Sequence, residues 1–567
     1  MKIERDVGIP SDDIILRADI FRPEADGKYP VIMTHGPYAK GLRYQEGYAP
    51  QWNWLVKRHP DILKGSTKSY LAWETVDPEL WVPDCYVLIR VDSRGAGRTP
   101  GVLDPFSPKE TRDFYNAIEW AAAQPWSNGN IGLCGISYYA INQWLVASLE
   151  PPHLKAMIPW EGAADYYRDF THHGGIYANA FLETWYEKQV LTVQHGLGTK
   201  GPMDTWMNEP ATGPETLSAQ ELEKNRLDYI EDARTHKLDD EYQCGRSADF
   251  SRIKVPLLSA ANWGGFGLHE RGNFEGFTES ASAQKWLEVH VGRHEEYFYL
   301  PYAMELQKKF FAHFLKGEDN GWEKEPKVRL IIRRLQNFET RFENEWPLAR
   351  TRWTKVYLDA NDKSLPWNEP KEEASLHFDA LSDGLTFYTN PLEKEIEITG
   401  PLAARLFVSS STTDADLFAT LRAFGPQGKE VDFQGTLDPH TPLSQGWLRA
   451  SHRKLDLDHS KPYRPYHTHD EMQPLKPNEV YQLDIEMWPT CIVLPPSYRL
   501  ALTVQGKDFE RSVQEGSFAG VVPYRGSGPF LHNDPRDRPI EIFGGRTALH
   551  TGLKQQSFVL LPIIPSK

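Results

Sequence analysis

The fold of this chain is decided by the stretch Gly132-Leu133-Cys134-Gly135-Ile136-Ser137-Tyr138-Tyr139-Ala140. The apolar run from Ile131 to Cys134 predicts a buried strand, and the amphipathic run from Tyr138 to Leu149 predicts a helix. Ser137 therefore falls on a sharp turn between the two, a position typical of a serine nucleophile. Backbone N–H groups at the start of the helix would face an anion beside the hydroxyl. The alternative interpretation is a serine that only caps the helix.

Glycines usually flank a serine of this kind, because the strand and the helix nearly touch there. Gly135 stands two residues before Ser137, but Tyr139 stands two residues after it, where glycine is usual. A glycine-x-serine triplet ahead of a helix also arises by chance. The motif therefore needs support from the rest of the chain.

Length and composition limit the class of protein. A chain of 567 residues predicts roughly two to four domains, and 40% hydrophobic residues can fill their cores. The formal net charge of −15 argues against nucleic acid as a partner, because nucleic-acid binding needs a basic face. No run approaches the roughly 18 apolar residues of a membrane helix, and residues 1–6 are polar, unlike a signal peptide. We therefore expect a soluble cytoplasmic protein without a membrane partner; self-association into a homo-oligomer stays open.

Metal ligation is not expected from the cysteines or the histidines. The sequence has four scattered cysteines, Cys85, Cys134, Cys244 and Cys491. Because Cys85 and Cys134 lie in or beside apolar strand candidates, we predict buried free thiols. His172-His173 and the stretch His467-Thr468-His469-Asp470-Glu471 look like metal clusters, but the second lies in a Pro-rich loop without a regular scaffold. We predict no metal at either stretch.

Strands and helices alternate along residues 1–164. The apolar runs at Pro30–His35, Cys85–Asp92 and Leu154–Pro159 are continuous, as in strands that are buried on both faces of a parallel sheet. Between Lys109 and Gln124, apolar residues recur at helical spacing. Short connections between such elements predict a doubly wound α/β sheet.

This alternation is interrupted and then resumes. Residues 165–249 are rich in Tyr, Trp, His and charged residues, which predicts an inserted helical cap. Strands at Val255–Ala260 and Lys285–Val291 and a helix at Leu300–Leu315 place residues 250–336 in the second part of the α/β core. Over residues 337–567, short alternating segments separated by Pro, Gly and Asp turns predict an all-β jelly roll.

Further stretches support the serine motif. They are Gly36-Pro37-Tyr38-Ala39-Lys40, Asp92-Ser93-Arg94-Gly95-Ala96-Gly97, Gly292-Arg293-His294, Ile398–Ser410 and Leu560–Ile564. Together with Gly135-Ile136-Ser137-Tyr138 they resemble the cocaine-esterase-like and X-Pro dipeptidyl-peptidase (S15) family of α/β-hydrolases, over nearly the whole chain and in the family's order. The resemblance implies an α/β-hydrolase core, a helical cap and a jelly roll. It also implies hydrolysis of an ester or amide through a serine, without a metal or organic cofactor.

The resemblance assigns roles residue by residue. Ser137 corresponds to the nucleophile, and Tyr138 to the residue whose backbone N–H forms part of the oxyanion hole. Tyr38 corresponds to the tyrosine whose phenol donates the second hydrogen bond, a task that suits a rigid donor that is protonated at neutral pH. Tyr38 could instead be a loop aromatic that packs on the core.

The base corresponds to a histidine on the loop after the last strand of the parallel sheet. His294 fits this description, because it lies just past Val291-Gly292. The alternatives are His290, whose place within the strand favours a core residue, and His269. We predict that His294 is the base.

The usual acid of the family is missing. The expected aspartate, after the strand at Val255–Ala260, falls on Gly264. Glu161 lies at the end of the strand that follows the elbow helix, where active-site groups of open α/β sheets gather, and it keeps the chain order serine, acid, histidine. We predict Glu161 as the acid and keep Glu270 as the alternative. Glu161 could instead form a structural ion pair, for example with Arg168.

The identity of the substrate does not follow from the sequence. We predict that Trp160 and Trp263 contact it, and that cap aromatics such as Phe181 and Trp185 either line the pocket or form the core of the cap. The preferred hypothesis is a serine hydrolase that acts on a small or medium ester or amide. The alternatives are an acyltransferase on the same scaffold and a non-catalytic binding protein that has lost the usual acid.

Overall fold

A computed structural model describes residues 1–565. In the first half of the chain the strands are β1 Lys2–Ser11, β2 Ile14–Arg22, β3 Tyr29–Gly36, β4 Val87–Asp92, β5 Ser127–Ile136, β6 Leu154–Trp160, β7 His172–His173, β8 Ile176–Tyr177, β9 Met203–Asp204, β10 Glu209–Pro210, β11 Leu257–Asn262, β12 Lys285–His290, β13 Val328–Arg333 and β14 Phe338–Glu343. The α-helices are α1 Tyr44–Gly47, α2 Ala49–Arg58, α3 Pro78–Trp81, α4 Pro108–Ala122, α5 Tyr138–Ala147, α6 Asn179–Trp185, α7 Ala219–Lys224, α8 Tyr229–Thr235, α9 Glu241–Cys244, α10 Arg271–Glu279 and α11 Pro301–Lys316.

The first half is organised around one mixed sheet with the strand order β1-β2-β4-β3-β5-β6-β11-β12-β13-β14. Its central strands, from β4 through β13, run parallel to one another. Side chains of β3 alternate between the two faces: Val31 and Met33 pack in the cluster that contains α4 and α5, whereas Ile32 packs in the cluster that contains α11. Helices therefore cover both faces, which confirms the predicted doubly wound α/β fold.

The register of the parallel strands brings their carboxyl ends to one edge of the sheet. Ile136 pairs with Trp160, and Asn262 pairs with His290. The residues that directly follow these strand ends are therefore close in space, although they come from distant parts of the sequence. This edge is where open α/β sheets place their ligands.

The segment of residues 165–249 consists of short helices, single turns and two-stranded ribbons rather than strands of the main sheet. Two irregular helical turns, Tyr166–Thr171 and Tyr186–Val190, flank β7, β8 and α6. That residues 165–249 form a cap over the α/β core stays a prediction; this stretch is called the cap segment below.

The second half of the chain is all-β and antiparallel. Its elements are β15 Arg352–Tyr357, β16 Ala374–Asp379, β17 Leu385–Tyr388, β18 Ile396–Ser410, β19 Asp416–Phe424, β20 Glu430–Val431, β21 Ser444–Arg449, β22 Tyr481–Leu494, β23 Arg499–Gln505, β24 Ser517–Phe518, β25 Val522–Pro523, α12 Ile540–Phe543, β26 Arg546–Thr551 and β27 Phe558–Ile564. Long strands β18 and β22 pair over most of their length and carry alternate side chains into one apolar core. The finer prediction, a jelly roll over residues 337–567, stays a prediction.

Two expectations from the sequence need correction. β14 pairs with β13 in the first sheet, so the predicted boundary between residues 336 and 337 separates two partner strands. Apolar and polar residues alternate along β14, which is a largely exposed edge strand. The strands of a β-sandwich show the same alternation, so the sequence pattern does not separate the two. Cys85 is exposed, because it lies in a left-handed turn just before β4 rather than in the strand, whereas Cys134 is buried in β5.

Within residues 1–565, no helix combines the length and the apolar character needed to span a membrane.

Candidate active site

Ser137 occupies the turn between β5 and α5 in a strained backbone conformation, with φ 57° and ψ −114°. Its N–H donates to the carbonyls of Trp160 and Glu161 at 3.1 Å, and its own carbonyl accepts from the first turn of α5. Gly135 is required here, because a Cβ at that position would lie 2.5 Å from Cβ of Tyr139. The turn is thus held by backbone hydrogen bonds and close packing, and the serine hydroxyl is left free to project from it.

The hydroxyl of Ser137 lies 3.1 Å from Nε2 of His269. His269 sits on the loop between β11 and α10 and is buried. Its Nδ1 has no hydrogen-bond partner among residues 1–565, so no carboxylate fixes the tautomer of this imidazole. From the sequence, His269 is only an alternative to His294 as the base. In the structure, His269 is the histidine whose ring contacts the hydroxyl of Ser137.

Glu161 directly follows β6 and is fully buried, with φ 51°. One carboxylate oxygen accepts from Nδ1 of His294 at 2.7 Å, and the other accepts from Nε2 of His290 at 2.7 Å and from Asn262 at 3.0 Å. Burial alone would raise the pKa of Glu161, but the charge and hydrogen bonds of His294 and His290 outweigh it and lower that pKa to about 2. Glu161 is therefore ionised, and its charge faces the two imidazoles.

His294 lies between two carboxylates. Its Nδ1 donates to Glu161, and its Nε2 donates to Oε1 of Glu74 at 2.9 Å. Burial would lower the pKa of His294, but the two carboxylates outweigh it and raise that pKa to about 10. The rings of His294 and His269 lie 4.3 Å apart, so both imidazoles reach the neighbourhood of Ser137.

Glu74, on the loop before α3, is a site residue that no motif of the sequence indicated. It is buried, with φ 60°, and its carbonyl accepts the N–H of Ile136, one residue before Ser137. Burial raises the pKa of Glu74 to about 7, against the opposing effect of His294. The only sequence signal is an acidic residue in an aromatic loop, which is too common to identify a site.

The two residues predicted for the oxyanion hole lie near the turn: Tyr38 lines the same cavity as Ser137, and its ring centroid is 5.8 Å from that of Tyr138. The phenol oxygen of Tyr38 accepts a hydrogen bond from the indole of Trp185 at 3.0 Å and keeps its own proton for donation. Tyr138 is the first residue of α5, where a backbone N–H has no acceptor within the helix. The phenol of Tyr138 points elsewhere and donates to Glu110 at 2.7 and 2.8 Å.

A cavity of about 760 Å³ lies in front of Ser137. Its wall combines loops and helices α1 and α2 of the first half, helix α6 of the cap segment, and loops and strand β24 of the second half. Among its aromatic lining residues are Tyr48, Trp54, Trp73, Phe181, Trp185 and Phe518. The cap aromatics Phe181 and Trp185 thus line the cavity, whereas Tyr166, Tyr167 and Tyr186 are buried and do not.

Three predicted residues lie away from this cavity. Trp160 is fully buried and stacks on His290, and Trp263 is fully buried and donates its indole N–H to the carbonyl of Ile331. The prediction that they contact the substrate is therefore wrong, because their strand and loop turn these side chains into the core. Neither carboxyl oxygen of Glu270 has a hydrogen-bond partner among residues 1–565, so Glu270 does not bind His294.

The position of the missing aspartate has a physical explanation. A Cβ on Gly264 would lie 2.5 Å from Cα of Gly435 and 3.1 Å from the carbonyl of Gln434. The all-β half packs against this loop so closely that no side chain fits. The all-β half also holds the loop of His294 through Thr436. The backbone N–H of Thr436 donates to the carbonyl of Gly264, and its carbonyl accepts from the backbone N–H of His294.

The site brings together side chains of types that can bind a metal. Within residues 1–565, Glu161, His269 and His294 form the group whose ligand atoms lie within 4.8 Å of one another. Both oxygens of Glu161 and both nitrogens of His294 already take part in hydrogen bonds, so we assign no metal to them. The histidine-rich stretches pair with other histidines: His173 lies 2.9 Å from His532, and His469 lies 3.0 Å from His452.

Comparison with known proteins gives the chain its family. Residues 12–296, half of the chain, match the model of the X-Pro dipeptidyl-peptidase (S15) family, and residues 320–519 match its C-terminal non-catalytic domain. Cocaine esterase from Rhodococcus sp. (strain MB1 Bresler) is 24% identical over 98% of this chain and 97% of that protein. A putative Xaa-Pro dipeptidyl-peptidase from Bacillus anthracis is 22% identical over 75% of this chain and 72% of that protein.

Solved structures agree with this result. A CocE/NonD family hydrolase from Staphylococcus aureus has a TM-score of 0.83 and 33% sequence identity, and the match covers 99% of this chain and 94% of that one. An α-amino acid ester hydrolase has a TM-score of 0.66 at 16% identity over 99% of this chain and 96% of that one, which supports the fold. The chain therefore belongs to the X-Pro dipeptidyl-peptidase (S15) family, whose members hydrolyse ester or amide bonds.

Proposed function

We propose that this hydrolase cleaves its ester or amide through an acyl-enzyme on Ser137. The observation that supports this most strongly is the serine hydroxyl on a strained strand–helix turn, 3.1 Å from one imidazole and beside a second that a buried carboxylate orients. Strained backbone of this kind costs roughly 1–3 kcal/mol and clusters at active sites. An inert binding protein would have no need for this arrangement.

The proposed chemistry follows the order of a serine triad. Ser137 attacks the carbonyl carbon while His294 takes its proton, and Glu161 stabilises the imidazolium that forms. The phenol of Tyr38 and the N–H of Tyr138 hold the oxyanion. His294 then protonates the leaving group, and water releases the acyl group by the same steps. For the first step, Nε2 of His294 must exchange its contact with Glu74 for one with Ser137.

We infer that His294 rather than His269 is the base. A general base needs a partner on its second nitrogen to fix the tautomer and to stabilise the cation. Nδ1 of His294 has that partner in Glu161, whereas Nδ1 of His269 has none among residues 1–565. His269 then serves as the hydrogen-bond partner of Ser137 in the free enzyme.

The cavity supports a small or medium substrate with an apolar or aromatic group. Its volume of about 760 Å³ is within the roughly 300–1,000 Å³ typical of ligand pockets, and aromatic side chains form much of its wall. The direct test is an activity screen over uncharged esters, amides and aminoacyl-proline substrates, with the Ser137→Ala protein as the blank. Turnover of one class above that blank supports the proposal; equal rates in both proteins for every class would contradict it. Competing amines or alcohols in the same assay separate hydrolysis from acyl transfer.

Tyr38→Phe tests the oxyanion hole. We expect turnover to fall by roughly 10²–10³, the usual effect of removing one oxyanion donor. Stability should change little, because the ring and its packing remain. The measurement is kcat on the best ester of the screen, and a variant with the wild-type rate would return Tyr38 to a packing role.

Glu161→Gln tests the acid. We expect turnover to fall by about 10⁴, as it does when the orienting carboxylate of another triad becomes an amide. Glu270→Gln is the matched control, since it makes the same change in a buried glutamate that does not contact His294. Equal losses in the two variants would contradict the role of Glu161.

A further inference from the structure

Glu74 has a structural property that it shares with the proposed nucleophile and the proposed acid. Glu74, Ser137 and Glu161 all have a positive backbone φ, with values of 60°, 57° and 51°. Such a conformation is costly for a residue other than glycine and clusters at functional sites. Ser137 and Glu161 have proposed roles in catalysis, whereas the mechanism above uses no group of Glu74.

The contacts of Glu74 connect it to the proposed base. Its Oε1 accepts from Nε2 of His294 at 2.9 Å, the nitrogen that the mechanism requires for Ser137. Glu74 is 2% exposed but lines the substrate cavity, and its carbonyl is bound to the strand that carries the serine. The carboxylate therefore occupies the working side of His294, opposite Glu161.

We propose that Glu74 is a positioning residue: its carboxylate holds the Nε2–H of His294 and thereby sets the pH below which the base is not free for Ser137. This inference rests on the proposed function. In the free enzyme His294 is a cation held between two carboxylates, and Ser137 is left with His269. The ring becomes a base when its Nε2–H bond breaks and the proton passes to solvent through the cavity that His294 lines, which leaves a neutral imidazole. Nε2 can then accept the proton of Ser137.

Several charged groups lie around the pair of His294 and Glu74. Those that face it are Glu161 behind Nδ1, His269 on the neighbouring loop, and Arg293 and Glu295 on the loop of His294 itself. Five phenols also face Glu74, and burial above all keeps the pKa of each above its usual value: Tyr38, Tyr44, Tyr48, Tyr139 and Tyr299. These phenols carry no charge at working pH. The negative charges in direct contact with His294 are therefore those of Glu74 and Glu161.

The expected pH dependence follows from the sign of each effect. His294 is inactive as a base while it is protonated, so a raised pKa moves the acid limb of kcat/KM to higher pH. A carboxylate in contact typically shifts such a pKa by roughly one to three units. Removal of the charge on Glu74 should therefore move the acid limb to lower pH.

The experiment compares Glu74→Gln with the wild type in kcat/KM against pH, using an uncharged ester. We expect the apparent pKa of the acid limb to fall by at least about one unit in Glu74→Gln. Glu270→Gln is the matched control: Glu270 is also a buried glutamate, but it neither contacts His294 nor lines the cavity, so the acid limb of this variant should stay near that of the wild type. A Glu74→Gln protein with an unshifted acid limb, or an equal shift in both variants, would overturn the proposal.

A second measurement does not depend on the variant. Nitrogen-15 NMR of the wild-type imidazoles, with the His294 signal assigned by its loss in His294→Ala, should show His294 protonated on both nitrogens at pH 7.5. A neutral His294 at that pH would overturn the proposal. Labelling by a fluorophosphonate separates the two levels of inference: failure to label Ser137 contradicts the proposed function, whereas labelling with an unshifted acid limb contradicts only the role of Glu74.

Discussion

Ser137→Ala should abolish turnover and leave the fold intact. The loss of a triad serine costs about 10⁶ in turnover in a well-studied protease, because the remaining groups have no nucleophile to activate. The side chain contributes one hydrogen bond, to His269, whereas the turn itself is held by the backbone contacts with Trp160 and Glu161. The measurement is kcat on the best substrate, together with a thermal unfolding curve.

The control for this variant is a second serine of the same neighbourhood. Ser148, just after α5, is buried, and its hydroxyl bonds to backbone groups: it donates to the carbonyls of Trp144 and Asp249 and accepts from the N–H of Asp249. Ser148→Ala should therefore keep most of the activity. A Ser137→Ala protein that keeps a tenth of the wild-type rate would exclude Ser137 as the nucleophile.

His294→Ala should have the second large effect, again about 10⁶ in turnover, because the loss of the histidine in a triad costs about as much as the loss of the serine. His269→Ala should cost much less, roughly 10- to 100-fold, the value of one buried hydrogen bond to the hydroxyl. Both variants remove an imidazole from the same cavity, so each is the control for the other.

The order of these two effects decides which histidine is the base. The structure places His269 rather than His294 in contact with Ser137, so a ranking by distance alone would favour His269. The acid on Nδ1 favours His294. A larger loss in His269→Ala than in His294→Ala would contradict the proposed assignment and would make His269 the base.

Much of the fold could be predicted from the sequence, because its signals are local. The strand, the glycine and the helix around Ser137 follow from a change of hydrophobic period within a few residues. The proximity of Glu161 to this turn also follows from topology, since β5 and β6 are parallel and their carboxyl ends pair at Ile136 and Trp160. The prediction of Glu161 used that rule together with the chain order serine, acid, histidine.

The rest of the candidate site depends on long-range packing. The loop that carries Glu74 is irregular over much of the interval between β3 and β4, and no periodic pattern indicates where its carboxylate lies. The contact between His269 and Ser137 depends on the path of the loop after β11, which packs against the all-β half at Gly264 and Gly435. The burial of Trp160 and Trp263 does not follow from the sequence either, because nearness to a strand end does not determine which way a side chain points.

The central claim, that Ser137 is the nucleophile of an acyl-enzyme, is tested most directly by covalent labelling. The wild-type protein is treated with a fluorophosphonate, and its intact mass and peptide map are measured alongside those of Ser137→Ala. We predict the addition of one phosphonyl group per chain, located on the peptide that contains Ser137, with parallel loss of activity and no labelling of the variant. An unlabelled wild-type protein that still turns over substrate, or a label on a different residue, would contradict the claim.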